Sequence, residues 1–330
     1  MVGILQGLIM VIVAQQGPST MEEIFPRTPP PDIVGVHKVT QSEAVLKPCQ
    51  AFTVVFEITL ASEAVRTQWP KVARKISNVV RVNGHDYRNQ IADSSGSTNN
   101  VCVFELLWPQ PVGREPPLRS SETALISATC QFALRQRTCL FGKPGEYRLE
   151  FFFGERTVET TVEVLPPTHA EQAIVDELNT LPMLLFFADP TDRQYATPEN
   201  IRTVETLLAV PTDYSRMLSL TVGVAKGRRV GRPLWSDMAD EQKREELRER
   251  FALVAPVLEG ELDTRLEGLA ASELFNTAAQ LGRLETDPQK RAEFAKVRED
   301  VLPKLAACPL VPHEQALAKA LCKQTKKTGE

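Results

Sequence analysis

The sequence is short of long apolar runs, of histidine and of aromatic residues, and each shortage excludes something. Its most apolar stretch, Ile4 to Ala14, falls well below the roughly 20 residues that a membrane-spanning helix needs. Four histidines, His37, His85, His169 and His313, are scattered along the chain, and none sits near a cysteine pair at zinc spacing. No Cys-x-x-Cys, HExxH, GxSxG, phosphate-binding loop or dinucleotide glycine pattern occurs. The commonest catalytic signatures are therefore missing, and no cofactor is indicated. Enzymes whose sites are assembled from distant residues stay open. There is no Asn-x-Ser/Thr acceptor for glycosylation. A formal charge of −4 neither attracts nor repels nucleic acid or membrane by itself.

What is present begins with a change of texture at the N-terminus. The run Ile4 to Ala14 fits the core of a secretory signal peptide, with Ile12 and Ala14 as the cleavage pair. No Lys or Arg precedes it, as such a leader would carry. Residues 1–14 are read as a leader, and the protein as exported to a periplasmic or extracellular location. A buried N-terminal strand or a membrane-surface anchor is the alternative. Residues 15–32 read as a linker, with Pro-Arg-Thr-Pro-Pro-Pro at 26–31 forming an extended spacer. The six cysteines are Cys49, Cys102, Cys130, Cys139, Cys308 and Cys322. In an exported protein some should pair. Cys130 and Cys139 are the expected disulfide, brought together by a hairpin between them. Otherwise all six are small apolar core residues.

From residue 33 to about 165 the apolar period is two. Phe52, Val54, Phe56, Ile58 and Leu60 alternate with Thr53, Val55, Glu57 and Thr59, which predicts a strand with one core face. Asn83-Gly84 between Val79–Val82 and His85–Arg88 is a hairpin signal, because both turn positions need positive φ. Residues 101–107 read as a strand buried on both faces. Ala124, Ile126, Ala128, Cys130 and Phe132 share a face on the next strand. Tyr147, Leu149, Phe151 and Phe153 share another, and Val158, Thr160, Val162 and Val164 return the chain after Gly154-Glu155. Glu159, Thr161 and Glu163 should face water. Seven or eight short strands with turn signals between them suggest an antiparallel β-sandwich.

The stretch Gly142-Lys-Pro-Gly-Glu-Tyr147-Arg-Leu-Glu-Phe151, running on to Val158–Val164, resembles the closing hairpin of bacterial immunoglobulin-like domains. The resemblance spans about two dozen residues. It implies an immunoglobulin-like fold in which Tyr147 bonds back to an upstream backbone group.

At Pro166-Pro167 the period becomes 3.6. Thr168-His-Ala-Glu171 has the capping-box form, and Ile174, Leu178 and Leu181 then share a helix face. Thr197-Pro198-Glu199 starts a second helix, with proline at its first position. A third is expected between Thr212 and Lys226, and Ser236 should cap a charged helix ending near Pro256. Leu262, Leu266 and Leu269 begin another, Asp287-Pro288 a further one, and a last runs from Pro312 to Cys322. Residues 323–330 read as a basic tail. Leu274-Phe275, Ala278-Ala279, Leu281-Gly282, Ala292 and Pro303 resemble the layout of a tetratricopeptide unit. No second clean copy follows at about 34 residues, so a one-off bundle stays open. The expected architecture is a β-sandwich over 33–165 followed by an all-α helical-pair region over 166–322.

Candidate chemistry is sparse. Trp69-Pro70 and Trp108-Pro109 would make a stacking platform if exposed, or close the rim of a core. Trp235, just before Ser236, would staple against the next helix turn. Asp189, Asp192 and Glu199 supply oxygen ligands but not the spacing of a calcium loop, so capping and turn formation explain them more simply. Lys226, Arg228, Arg229 and Arg232 form the densest basic stretch; without interleaved aromatics it argues against nucleic acid. Three roles remain: a non-catalytic module binding another envelope protein, an envelope hydrolase with its site between the two regions, and a structural spacer. The oligomeric state has no signature in the sequence.

Overall fold

A computed structural model of the chain describes residues 31–65, 72, 76–88, 102–107, 120–133, 136–188, 190, 192, 194–227, 238–258 and 265–328. The expected leader, most of the linker, Trp69, Trp108, Trp235, Ser236, Asp189 and the three arginines at 228–232 lie outside these residues.

Strands come first and helices second. The strands are β1 (Ile33–Gln41), β2 (Val45–Leu46), β3 (Phe52–Val65), β4 (Ile76–Val82), β5 (His85–Arg88), β6 (Cys102–Leu107), β7 (Ser120–Cys130), β8 (Phe132–Ala133), β9 (Thr138–Cys139), β10 (Gly145–Phe153) and β11 (Arg156–Val164). One sheet has the order β1-β3-β7-β6, another β2-β11-β10-β4-β5, and β8-β9 form a two-stranded ribbon. Period-two alternation explains the first two. Phe52, Val54, Phe56 and Ile58 of β3 are buried with Ala124, Ile126 and Ala128 of β7 and with Leu149, Phe151 and Phe153 of β10 in one core. The Phe56 ring lies 5.2 Å from Phe151 and 4.9 Å from Phe153. Asn83 and Gly84 take φ of 50° and 79°, which closes β4 onto β5 as the dipeptide predicts. The Tyr147 hydroxyl donates to the Lys143 carbonyl at 2.8 Å, four residues upstream. Glu159, Thr161 and Glu163 are exposed, as their alternation requires.

Eight α-helices follow among the described residues: α1 (His169–Leu178), α2 (Leu181–Ala188), α3 (Pro198–Leu208), α4 (Ser215–Gly227), α5 (Asp240–Val254), α6 (Arg265–Leu284), α7 (Pro288–Ala307) and α8 (Pro312–Thr328). Neighbours in sequence pack together: α3 on α4, α4 on α5, α5 on α6, α6 on α7 and α7 on α8. Thr168 and Glu171 form the reciprocal capping box of α1. Thr197 caps α3 and Asp287 caps α7, each followed by proline. Pro256 ends α5 in a short 3-10 turn, Ala255–Val257.

Three boundaries differ from expectation. The first helix stops at Leu178, and Leu181 opens a new one, because Asn179 caps α1 and turns its side chain to β9. Helix α5 begins at Asp240, so Ala239 holds its cap position without a side-chain bond. Helix α8 continues to Thr328, past the expected stop at Cys322.

Strand β3 also departs from a one-faced reading. Val55, on the face opposite Phe56, is buried in a cluster with Leu220 of α4, Val254 of α5 and Ala270 of α6. The helices cover the outer face of the β1-β3-β7-β6 sheet there.

Candidate functional site

The region between the sheets and the helices is built on the turn after β2. Cys49 takes φ of 65°, the left-handed region that non-glycine residues seldom occupy. The turn is closed by the Gln50 amide on the Lys47 carbonyl at 3.2 Å and by the Lys47 amide on the Gln50 side chain at 2.9 Å. Cys49 forms a disulfide with Cys139 of β9, with Cα atoms 5.0 Å apart across 90 positions of sequence. This corrects the expected Cys130–Cys139 pair. The β8-β9 ribbon sets Phe132, not Cys130, opposite Cys139. Cys130 points into the core shared by the two larger sheets, whereas Cys49 and Cys139 belong to a cluster with the helices.

Helices dock on this turn through polar contacts. The Tyr214 hydroxyl, fully buried before α4, donates to the Pro48 carbonyl at 2.8 Å. Burial raises the pKa of Tyr214 well above that of free tyrosine, and the nearby Glu171 and Asp213 charges add to the rise, so the phenol stays neutral. Lys47 reaches Glu171 of α1 at 3.1 Å and Asp213 at 3.8 Å. Burial alone would push the Glu171 carboxyl up; hydrogen bonds from Thr168 and Lys47 outweigh it and hold the pKa below the usual glutamate value. The Asn179 side-chain oxygen accepts from the Cys139 amide at 3.0 Å and the Thr138 hydroxyl at 3.3 Å, while its amide group donates to the Val175 carbonyl. Gln131 donates to the Cys49 carbonyl at 3.0 Å.

Beside this junction opens a cleft of about 1130 Å³. Its β side is residues 42–43, 45–47, 50–51, Gln131 and Leu165, and its helical side comes from α2, α4, α6 and the start of α8. The walls are apolar at Leu46, Phe187, Leu220, Val224, Leu266 and Leu269. Two cations line it, Lys47 and Arg216; the latter meets the buried Glu267 at 2.9 Å. Glu273, also lining the cleft, pairs with the buried Arg250 of α5. The Ser42 hydroxyl accepts from the Thr53 amide and the Thr221 hydroxyl donates to the Met217 carbonyl, so both are engaged in the fold. The cleft therefore combines an apolar wall with several carboxylates in its lining.

The chain matches no protein-family model, and no curated protein and no solved structure shows significant similarity to it. The geometry alone carries the functional argument.

Among the described residues, none of the sequence-derived candidates lines this cleft. Trp69 and Trp108 lie outside the described residues. Asp192 accepts from the Gln194 amide at 2.9 Å in a local turn, and among the described residues no group of three or more His, Cys, Asp or Glu is placed to hold a metal. Lys226 pairs with Glu205 at 2.7 Å and Glu249 at 3.3 Å on the far side of α4, beside a smaller cavity of about 350 Å³. Burial opposes its charge, but the two carboxylates prevail and raise its pKa. His37 lies 3.5 Å from Glu57 and His169 opens α1. Among the described residues no helix is long and apolar enough to cross a membrane. Lys47, Arg216 and Glu267, which line the cleft, and Tyr214 at the junction beside it carry no motif. Only Glu171 had a local signal, as a cap.

Proposed function

We propose that the chain is an exported, non-catalytic protein-interaction module that binds a partner in the cleft between its sheets and helices. The cleft carries the reading: its volume suits a chain segment, and its cations are held by carboxylates of the protein itself. The buried Cys49–Cys139 disulfide supports export, since disulfides persist in oxidising compartments. An immunoglobulin-like sandwich is the finer reading of the β region. The core shared by β3, β7, β10 and β11 and the Tyr147–Lys143 bond support it. The sequential pairing of α5 to α8 supports helical pairs of tetratricopeptide type as the finer reading of the second region.

Site-specific photo-cross-linking in the native cell tests the proposal. A photoreactive residue replaces Val45, exposed in the cleft, or Val39, exposed on β1 and not lining it. Adducts to an envelope protein from position 45 but not 39 are expected. Equal adducts from both, or none, would remove the cleft from the proposal.

A further inference from the structure

The cleft has a pronounced charge asymmetry. Five carboxylates line it, Glu43, Asp213, Glu267, Glu273 and Glu314, against two cations, Lys47 and Arg216. Both cations face carboxylates at 2.9 to 3.8 Å. Glu43 on the β side and Glu314 on the helical side, at the start of α8, form no ion pair among the described residues, so a cation in the cleft meets negative charge from both sides.

The apolar surface has a matching arrangement. Val45 and Leu165, among the exposed large apolar side chains, sit together at the β rim, where the Leu165 amide bonds the Leu46 carbonyl at 2.8 Å. Opposite them stand Leu220 and Val224 of α4 and Leu266 and Leu269 of α6. Strand β2 is the outer strand of its sheet, pairing with β11 and having no strand beyond it among the described residues. An outer strand beside an apolar groove is where an extended segment adds by main-chain bonds, its alternate side chains filling pockets. At about 1130 Å³ the cleft also exceeds the usual range for one small molecule.

We infer that the occupant of the cleft is an extended segment of a partner protein in which Lys or Arg alternates with large apolar residues. The apolar side chains lie between β2 and the α4–α6 wall, and the basic ones meet Glu43 and Glu314. This deepens the interaction-module reading and rests on it.

Fluorescence polarisation with three labelled hexapeptides tests the inference on the full chain. They alternate leucine with lysine, with serine or with glutamate. The lysine peptide is expected to bind about tenfold more tightly than the serine peptide, to weaken as salt rises, and to lose most of that advantage on the Glu43→Gln, Glu314→Gln protein. The reversed pair, Glu43→Lys with Glu314→Lys, should favour the glutamate peptide. Both positions are at the rim, and circular dichroism checks that each variant keeps its fold. Equal binding of the lysine and serine peptides, or a lysine preference unchanged in both variants, would overturn the charge assignment and leave the interaction-module reading standing. Binding of none of the three would overturn both.

Discussion

The two halves of the molecule are held together in unequal ways. The β region has one continuous core, with Phe56, Phe151 and Phe153 at its centre, and among the described residues none from α1 to α8 contributes to it. The helical region is divided among three smaller clusters. Two of them are completed by the β region: Cys49, Phe132 and Cys139 enter one, Val55 and Leu125 another. The helices thus rely on the sheets for core that they do not supply themselves. Amphipathic helices draw most of their stability from the surface against which they pack, and here part of that surface belongs to β3, β7 and the β8-β9 ribbon. Because the sheets also keep a core of their own, the dependence is expected to run mainly one way.

Removing the disulfide tests this asymmetry with the largest effect. Replacing both Cys49 and Cys139 by serine releases a closure across 90 positions, which loop entropy values at about 4.6 kcal/mol. Denaturant unfolding should show a loss of that order. Hydrogen exchange should show α1, α2 and α4 losing protection before β3 and β7. Simultaneous loss in strands and helices would mean that the two cores form a single cooperative unit.

The two faces of β3 provide a finer test. Val54 points into the β core and Val55 into the helical cluster, both essentially inaccessible. Alanine at either position should cost about 2 kcal/mol in transfer and cavity terms. Val54→Ala should lower the protection of strands and helices together, whereas Val55→Ala should loosen α4 to α6 and spare the strands. Equal patterns would contradict the one-way dependence.

The smallest effect is a pH dependence at the junction. Glu171 has a folded pKa below its ordinary value of 4.5. Its contribution is therefore present above that value and lost as the pH falls through the folded one. Between these limits α1 should loosen from the turn at Lys47 before the strands respond, as α1 amide exchange across pH 5 to 3 would show. Glu171→Gln should flatten the dependence.

Local signals explain what was legible beforehand. Thr168 with Glu171, Thr197 with Pro198, Asp287 with Pro288 and Asn83 with Gly84 act within a few residues, and each marks the boundary it predicts. The β-then-α order followed from the change of period at Pro166. What was hidden is long-range. Lys47 meets Glu171 across 124 positions and Tyr214 meets Pro48 across 166. No spacing rule reaches so far. The adjacent pair Val54-Val55 did carry a trace of the second buried face, because strict alternation would have placed a polar residue at one of them. Proximity in sequence favours Cys130 as the partner of Cys139, whereas the register of the two-residue ribbon sets Phe132 opposite Cys139 and leaves it to Cys49.

The Cys49–Cys139 link joins two points that both precede α1. On a chain emerging N-terminus first, the covalent closure and the platform around it can be complete while residues beyond 166 are still being made or threaded. Each helix then arrives at a surface that already exists. Vectorial synthesis and structural dependence run in the same direction, so the stretch that needs a template is always the later one.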